Sequence, residues 1–227
     1  MIHCLHGAVG SFRDWEFLKA GSDQQLNALD LWKFLKNEPP SLAQAGAIIA
    51  NQANTNDIIL GYSMGGRLAL HALLAAPKKW KAAIIVSAHP GLIEGHDDRI
   101  EQDSRWAAMA NRNWEFFLKK WNQQGILPPN NQGLHQATLI NQDAVAKSFH
   151  HWSLGTQKNL RTQLATLPCP VLWMTGEKDQ KFTEFGREAA SLLPKGHHAI
   201  IADSGHRVPW EKSESFSSTV RKFLSNI

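Results

Sequence analysis

Cysteine is almost missing from this chain of 227 residues. Cys4 and Cys169 are the only two, each in or beside an apolar, strand-like run, so both read as small buried hydrophobes rather than as a disulfide. Long hydrophobic runs are missing too. No stretch approaches the roughly 20 apolar residues that span a bilayer, and no charged segment leads into an apolar one at the start, as a secretion signal would require. A reducing, cytoplasmic setting without membrane contact is the expectation. Nor is charge of one sign gathered anywhere: the formal net charge is +4, and no lysine-arginine block with interleaved aromatics marks a nucleic-acid surface. A small anionic partner suits that balance better. The 11 histidines include the pairs His150-His151 and His197-His198, yet none forms His-x-x-x-His or His-Glu-x-x-His, so no metal site and no cofactor are expected. Internal repeats and low-complexity stretches are also absent.

What is present is an alternation of strand-like and helix-like runs, long enough to bury roughly 70% of the unfolded surface around one sheet-centred core. Strands are expected over 2–5, 25–29, 57–60, 82–87, 170–175 and 199–202. Helices are expected over 12–19, 40–52 and 67–76, the last stopped by Pro77. From 89 to about 165 the pattern changes to charged, tryptophan-containing helical stretches broken near 125–133. The organisation implied is a single domain over 1–227 with 89–165 inserted as a helical lid above the carboxyl ends of the strands.

Gly61-Tyr62-Ser63-Met64-Gly65 lies between the 57–60 strand and the 67–76 helix. Small residues flanking Ser63 let the chain turn sharply and hold the hydroxyl clear, with the positive end of a helix beside it. His6-Gly7-Ala8-Val9-Gly10, after the first strand, can aim backbone N–H groups at an oxyanion. Asp179 follows the 170–175 strand and His206 follows the 199–202 strand, which gives the chain order serine, acid, histidine. Asp203 competes for the role of acid but sits close to His206 along the chain, where it faces the imidazole less readily. Arg67, four residues past Ser63, shares its helix face, and its side chain leans back toward the nucleophile. Its partner is either an internal carboxylate or a ligand's carboxylate, which the planar guanidinium fork would grip through two bonds. His71, a turn further on, reads as a packed helix residue.

Together these motifs resemble the α/β-hydrolase fold over nearly the whole chain. More narrowly, the sequence resembles the 2-succinyl-6-hydroxy-2,4-cyclohexadiene-1-carboxylate synthase family of menaquinone biosynthesis. That likeness rests on His6-Gly7, Gly10-Ser11, Asp14-Trp15, Gly61 to Arg67, Asp103-Ser104-Arg105-Trp106, Trp121-Asn122-Gln123-Gln124, Gly155, Gln157 and Gly176 to Phe182. The resemblance implies a mostly parallel sheet of about six strands, N-terminally shortened to begin at the family's third usual strand, with helices on both faces. It implies Ser63, Asp179 and His206 as the triad, the Ala8 and Met64 N–H groups as oxyanion hole, Arg67 and Arg105 as carboxylate ligands, and Trp121 and Tyr62 in the pocket. A third cationic position of the family falls on His150, which is shorter than arginine and charges only near pH 6.5. Where the family carries Asp-Leu-Pro-Gly-His-Gly this chain has Asp30-Leu31-Trp32-Lys33-Phe34-Leu35, so one wall of the site entrance is expected to differ. The implied activity is elimination of pyruvate from a carboxylate-rich ring, with the triad acting as base. A serine carboxylesterase or thioesterase for a small anionic acyl group would use the same triad, and a non-catalytic ligand-binding member of the fold is a further alternative.

Overall fold

The computed structural model describes residues 1–21, 25–125, 127 and 141–227. Six parallel strands form one sheet: β1 (Ile2–Leu5), β2 (Leu26–Leu29), β3 (Asp57–Tyr62), β4 (Trp80–Val86), β5 (Val171–Gly176) and β6 (Gly196–Ile201), in the order β2-β1-β3-β4-β5-β6. A parallel sheet must be covered on both faces, so its central strands are almost wholly buried, mostly apolar, and sort their side chains by alternation. Leu5, Ile59, Ala83, Ile85, Val171 and Trp173 enter one core with α1 (Leu42–Gln52), α2 (Met64–Ala75) and α7 (Gln180–Leu192). Cys4, Ile58, Leu60, Ile84, Leu172 and Met174 enter the other, under the 3-10 helix Phe12–Gly21, α8 (Val208–Glu211) and α9 (Ser213–Leu224). Each fully buried Leu or Ile on these faces contributes about 1.5–3 kcal/mol relative to exposure.

Differences from the sequence expectation have local causes. The 12–19 helix is of the tighter 3-10 kind, with Asp14 N–H donating to the Ser11 carbonyl at 3.1 Å. α2 begins at Met64, because Gly65 and Gly66 are already helical rather than part of the turn. β6 begins three residues before the expected 199 and includes His197 and His198; as an edge strand it is half-exposed and carries no apolar run at its start. α1 starts on a capping box, Ser41 accepting from Gln44 N–H while the Gln44 side chain accepts from Ser41 N–H.

Between β4 and β5 lie α3 (His96–Arg112), α4 (Trp114–Asn122), α5 (Gln142–His151) and α6 (Arg161–Leu164). α3 packs on both α4 and α5. The break expected near 125–133 falls mostly outside the described residues. The chain leaves β1 for β2 on one side and reaches β3 on the other, so the strand order reverses between β1 and β3. Crevices at the carboxyl ends of such a switch point are where ligands bind in open α/β sheets. The loop after β1 and the turn after β3 both open there. Among the described residues no helix is long and apolar enough to cross a membrane.

Candidate active site

Ser63 sits between β3 and α2 at φ 51° and ψ −111°, in the left-handed half of backbone space that side chains avoid. Two glycines allow this. A Cβ on Gly61 would lie 2.4 Å from the Gly65 carbonyl oxygen, and one on Gly65 would lie 2.3 Å from that of Leu5. Strand, helix and the end of β1 therefore touch backbone to backbone, and Ser63 N–H is anchored on the Val86 carbonyl at 2.8 Å. The Ser63 hydroxyl does not cap its own helix. It lies instead 3.1 Å from His206 Nε2, while His206 Nδ1 lies 2.6 Å from Asp179 Oδ2. A carboxylate at Nδ1 makes that nitrogen the donor and leaves Nε2 to accept from the serine hydroxyl. Both His206 and Asp179 are buried. The rival acid, Asp203, points to solvent and pairs with Lys178 at 3.4 Å.

The loop after β1 is braced from below. His6 donates from Nδ1 to the Gly7 carbonyl at 2.9 Å and accepts Leu31 N–H on Nε2 at 3.2 Å, an arrangement open only to a neutral ring. Burial accordingly pushes its pKa down to about 4. Trp32 Nε1 donates to the Gly10 carbonyl at 2.8 Å. The 30–35 segment forms a short 3-10 helix, Leu31–Leu35, with Leu31, Trp32 and Leu35 buried and none of the segment lining the cavity. The departure at 30–35 thus falls on what supports the loop after β1 rather than on the cavity wall. Asp14 accepts from Ser11 N–H and hydroxyl at 2.9 and 3.2 Å, and burial raises its carboxyl to about 6.

Ser63, Ala8 and Met64 open on a cavity of about 800 Å³. Tyr62 lines it, in edge contact with Trp210 and beside the His206 ring, and Trp121 contributes aromatic wall with Trp106 and Phe149. Arg67 lines it too, 8% exposed. Its Nη2 donates to the Trp152 carbonyl at 2.8 Å and its Nη1 to Gln157 Oε1 at 3.2 Å, both neutral acceptors. Among the described residues no carboxylate pairs with it, which answers the choice left open by the sequence against an internal partner. Burial first, then the nearby charge of Arg99, lowers its pKa to about 9 against the opposing pull of Asp103.

Two expected ligands stand differently. Arg105 reaches the cavity rim, but its side chain is 70% exposed and paired with Glu101 at 3.2 Å. His150 is exposed and does not line the cavity. α5 turns Ser148, Phe149 and the following Trp152 inward, and a residue directly after 149 is rotated by about 100° onto the solvent side. Sequence reasoning missed Arg99, which lines the cavity while its Nε pairs with Asp103 Oδ1 at 2.9 Å. The i, i+4 spacing of Arg99 and buried Asp103 was the available signal. Gln157 was noted only for the family likeness. Among the described residues no group of three or more His, Cys, Asp or Glu is placed to hold a metal.

A serine on a strand-to-helix elbow, a histidine and a buried acid on the next loops of a parallel sheet, and a cavity above them define an α/β-hydrolase-fold enzyme of the lyase or ester-hydrolase kind. The chain belongs to the alpha/beta hydrolase family, whose profile matches residues 4–218. It is 27% identical over 248 residues to the putative 2-succinyl-6-hydroxy-2,4-cyclohexadiene-1-carboxylate synthase of Bacillus subtilis (strain 168), covering 100% of this chain and 90% of that protein. It is likewise 27% identical over 249 residues to the synthase of that name from Serratia proteamaculans (strain 568), covering 98% and 92%. Among solved structures it resembles MenH from S. aureus, with a TM-score of 0.89, 22% identity and coverage of 99% and 93%. An esterase from Exiguobacterium antarcticum has a TM-score of 0.79, 20% identity and coverage of 99% and 91%.

Proposed function

We propose that the protein is a 2-succinyl-6-hydroxy-2,4-cyclohexadiene-1-carboxylate synthase, eliminating pyruvate from 2-succinyl-5-enolpyruvyl-6-hydroxy-3-cyclohexene-1-carboxylate. The observation that carries this reading is Arg67: a buried guanidinium one helical turn beyond Ser63, facing the cavity and held, among the described residues, by neutral acceptors alone. A buried cation needs an anion, and the ligand is left to supply it. The names of full-length relatives point to the same chemistry.

In this reaction His206, oriented by Asp179, takes the Ser63 proton, and the serine oxygen removes a ring proton. That electron pair forms a double bond to the next ring carbon, the existing ring double bond shifts one position along, and the carbon–oxygen bond to the enolpyruvyl group breaks. That group leaves as the enolate of pyruvate and takes up the proton held on His206, which restores neutral histidine beside the Ser63 hydroxyl. Negative charge developing on the succinyl carbonyl is met by the Ala8 and Met64 N–H groups, the latter in the first turn of α2 where no intrahelical acceptor is available. Arg67 and Arg99 hold carboxylates, Arg105 adds charge at the rim, and Trp121 and Tyr62 shape the ring pocket. The 89–165 segment acts as the lid of a single domain. No cofactor takes part.

The test offers the purified protein this cyclohexene and follows released pyruvate, with a panel of short-chain aryl esters beside it. Pyruvate release that falls by at least about a thousandfold in Ser63→Ala is the expected result. Ester turnover without pyruvate release would make the protein a hydrolase. No turnover of either kind would make it a binding protein.

A further inference from the structure

Arg67 faces its ligand only because something else holds it in place, and that something is a turn of the helical insertion. Trp152 to Gln157 follows α5 and is fastened on several sides. Ser153 Oγ donates to Asp103 Oδ2 at 2.7 Å, and the same carboxylate receives Arg99 Nε at 2.9 Å. His96 Nδ1 lies 2.8 Å from the Gly155 carbonyl, and a Cβ on Gly155 would meet the His96 carbonyl oxygen at 2.6 Å. Gln157 itself is 2% exposed. Its Nε2 donates to the His89 carbonyl just past β4 at 3.2 Å, which fixes which way the amide points and presents Oε1 to Arg67.

We propose that Gln157 is a specificity-determining positioning residue. It aims the Arg67 guanidinium into the cavity through a neutral acceptor and so leaves that charge for a carboxylate of the ligand. The proposal rests on the reading of Arg67 given above. Glutamate in place of Gln157 would have nearly the same shape but would carry the anion itself, pairing with Arg67 at the same distance and competing with any ligand carboxylate. Asp103, the acid whose charge reaches Arg67, is bonded instead to Arg99 Nε and Ser153 Oγ and makes no hydrogen bond to the Arg67 guanidinium among the described residues.

The experiment measures labelling of Ser63 by a neutral fluorophosphonate and its protection by succinate, in the wild type, Gln157→Glu and Gln157→Met. A thermal midpoint for each reports folding. Wild type is expected to be protected at millimolar succinate, Gln157→Glu to need at least about tenfold more, and Gln157→Met about two- to fivefold more, since it releases Arg67 without neutralising it. With the cyclohexene substrate, Gln157→Glu should raise KM by a similar factor while kcat changes by less than about threefold. Succinate protection of Gln157→Glu equal to wild type overturns the proposal. So does an equal loss of unprotected labelling in both variants, which would make Gln157 structural, and so does a wild type that succinate never protects. Absence of pyruvate release combined with the expected protection pattern would remove the synthase reading and leave this one standing.

Discussion

At the scale of single residues, the backbone identifies two serines with left-handed geometry at the ends of neighbouring strands. Ser63 at φ 51° has a purpose, since its hydroxyl meets His206. Ser87, at φ 46° just past β4, is fully buried, and its hydroxyl finds no partner among the described residues. The strained backbone costs of order 1 kcal/mol and the unpaired hydroxyl about 1–3 kcal/mol, against about 0.5–1 kcal/mol for the freedom a glycine loses on folding. Ser87→Gly is therefore expected to stabilise the protein by about 1 kcal/mol, a rise of roughly 2–4 °C in Tm by calorimetry. No residue pattern in the sequence marks Ser87, because strain and an orphaned hydroxyl arise only from its neighbours. The same limit applied to Arg67: its helix position was legible, while the neutrality of its partners was not.

Among elements, α1 and α2 cross nearly backbone to backbone. A Cβ on Gly46 would lie 2.5 Å from His71 Cβ and 2.8 Å from Ala72 N. Helix propensity favours alanine over glycine by about 1 kcal/mol, but contacts against the backbone of the facing helix cannot be relieved by rotating a side chain. Overpacking should win, and Gly46→Ala is expected to lower the urea midpoint by an amount equivalent to about 1–2 kcal/mol with an unchanged m-value. Element identity was readable wherever burial is one-sided or complete: β1, β3, β4 and β5 are apolar runs, and α1 shows helical spacing. β6 was only half visible because an edge strand has no need of a continuous apolar face. His150 was misplaced for an element-scale reason too, since a one-residue step along α5 separates the cavity side from solvent.

For the whole molecule, the buried histidines set the response to acid. Burial lowers His6 to about 4, and burial with the charges of Arg161, Arg67, Lys181 and Arg99 lowers His89 to about 3. Both folded values lie below the ordinary 6.5, so the unfolded chain binds more protons below that pH and stability falls as pH drops from about 6.5. Each histidine contributes at most about 1.4 kcal/mol per pH unit. Asp14, raised to about 6, acts in the opposite direction between about pH 6 and 4. His71, likewise lowered to about 4 by burial, adds to the loss, and a net decrease of about 3–4 kcal/mol between pH 6.5 and 5 is expected in urea titrations at the two values. The sequence by itself determined the strand-turn-helix at Ser63, the chain order of serine, acid and histidine, and the parallel α/β sheet, because these follow from short-range sterics and periodic burial. Only the tertiary structure decided that Asp179 and not Asp203 faces His206, that Arg99 lies in the cavity while Arg105 stays at its rim, and that Arg67 bonds to the neutral Gln157 amide and Trp152 carbonyl. Those choices join residues 27 positions apart for His206 and Asp179 and 90 apart for Arg67 and Gln157, and packing between distant segments sets them, not any local pattern.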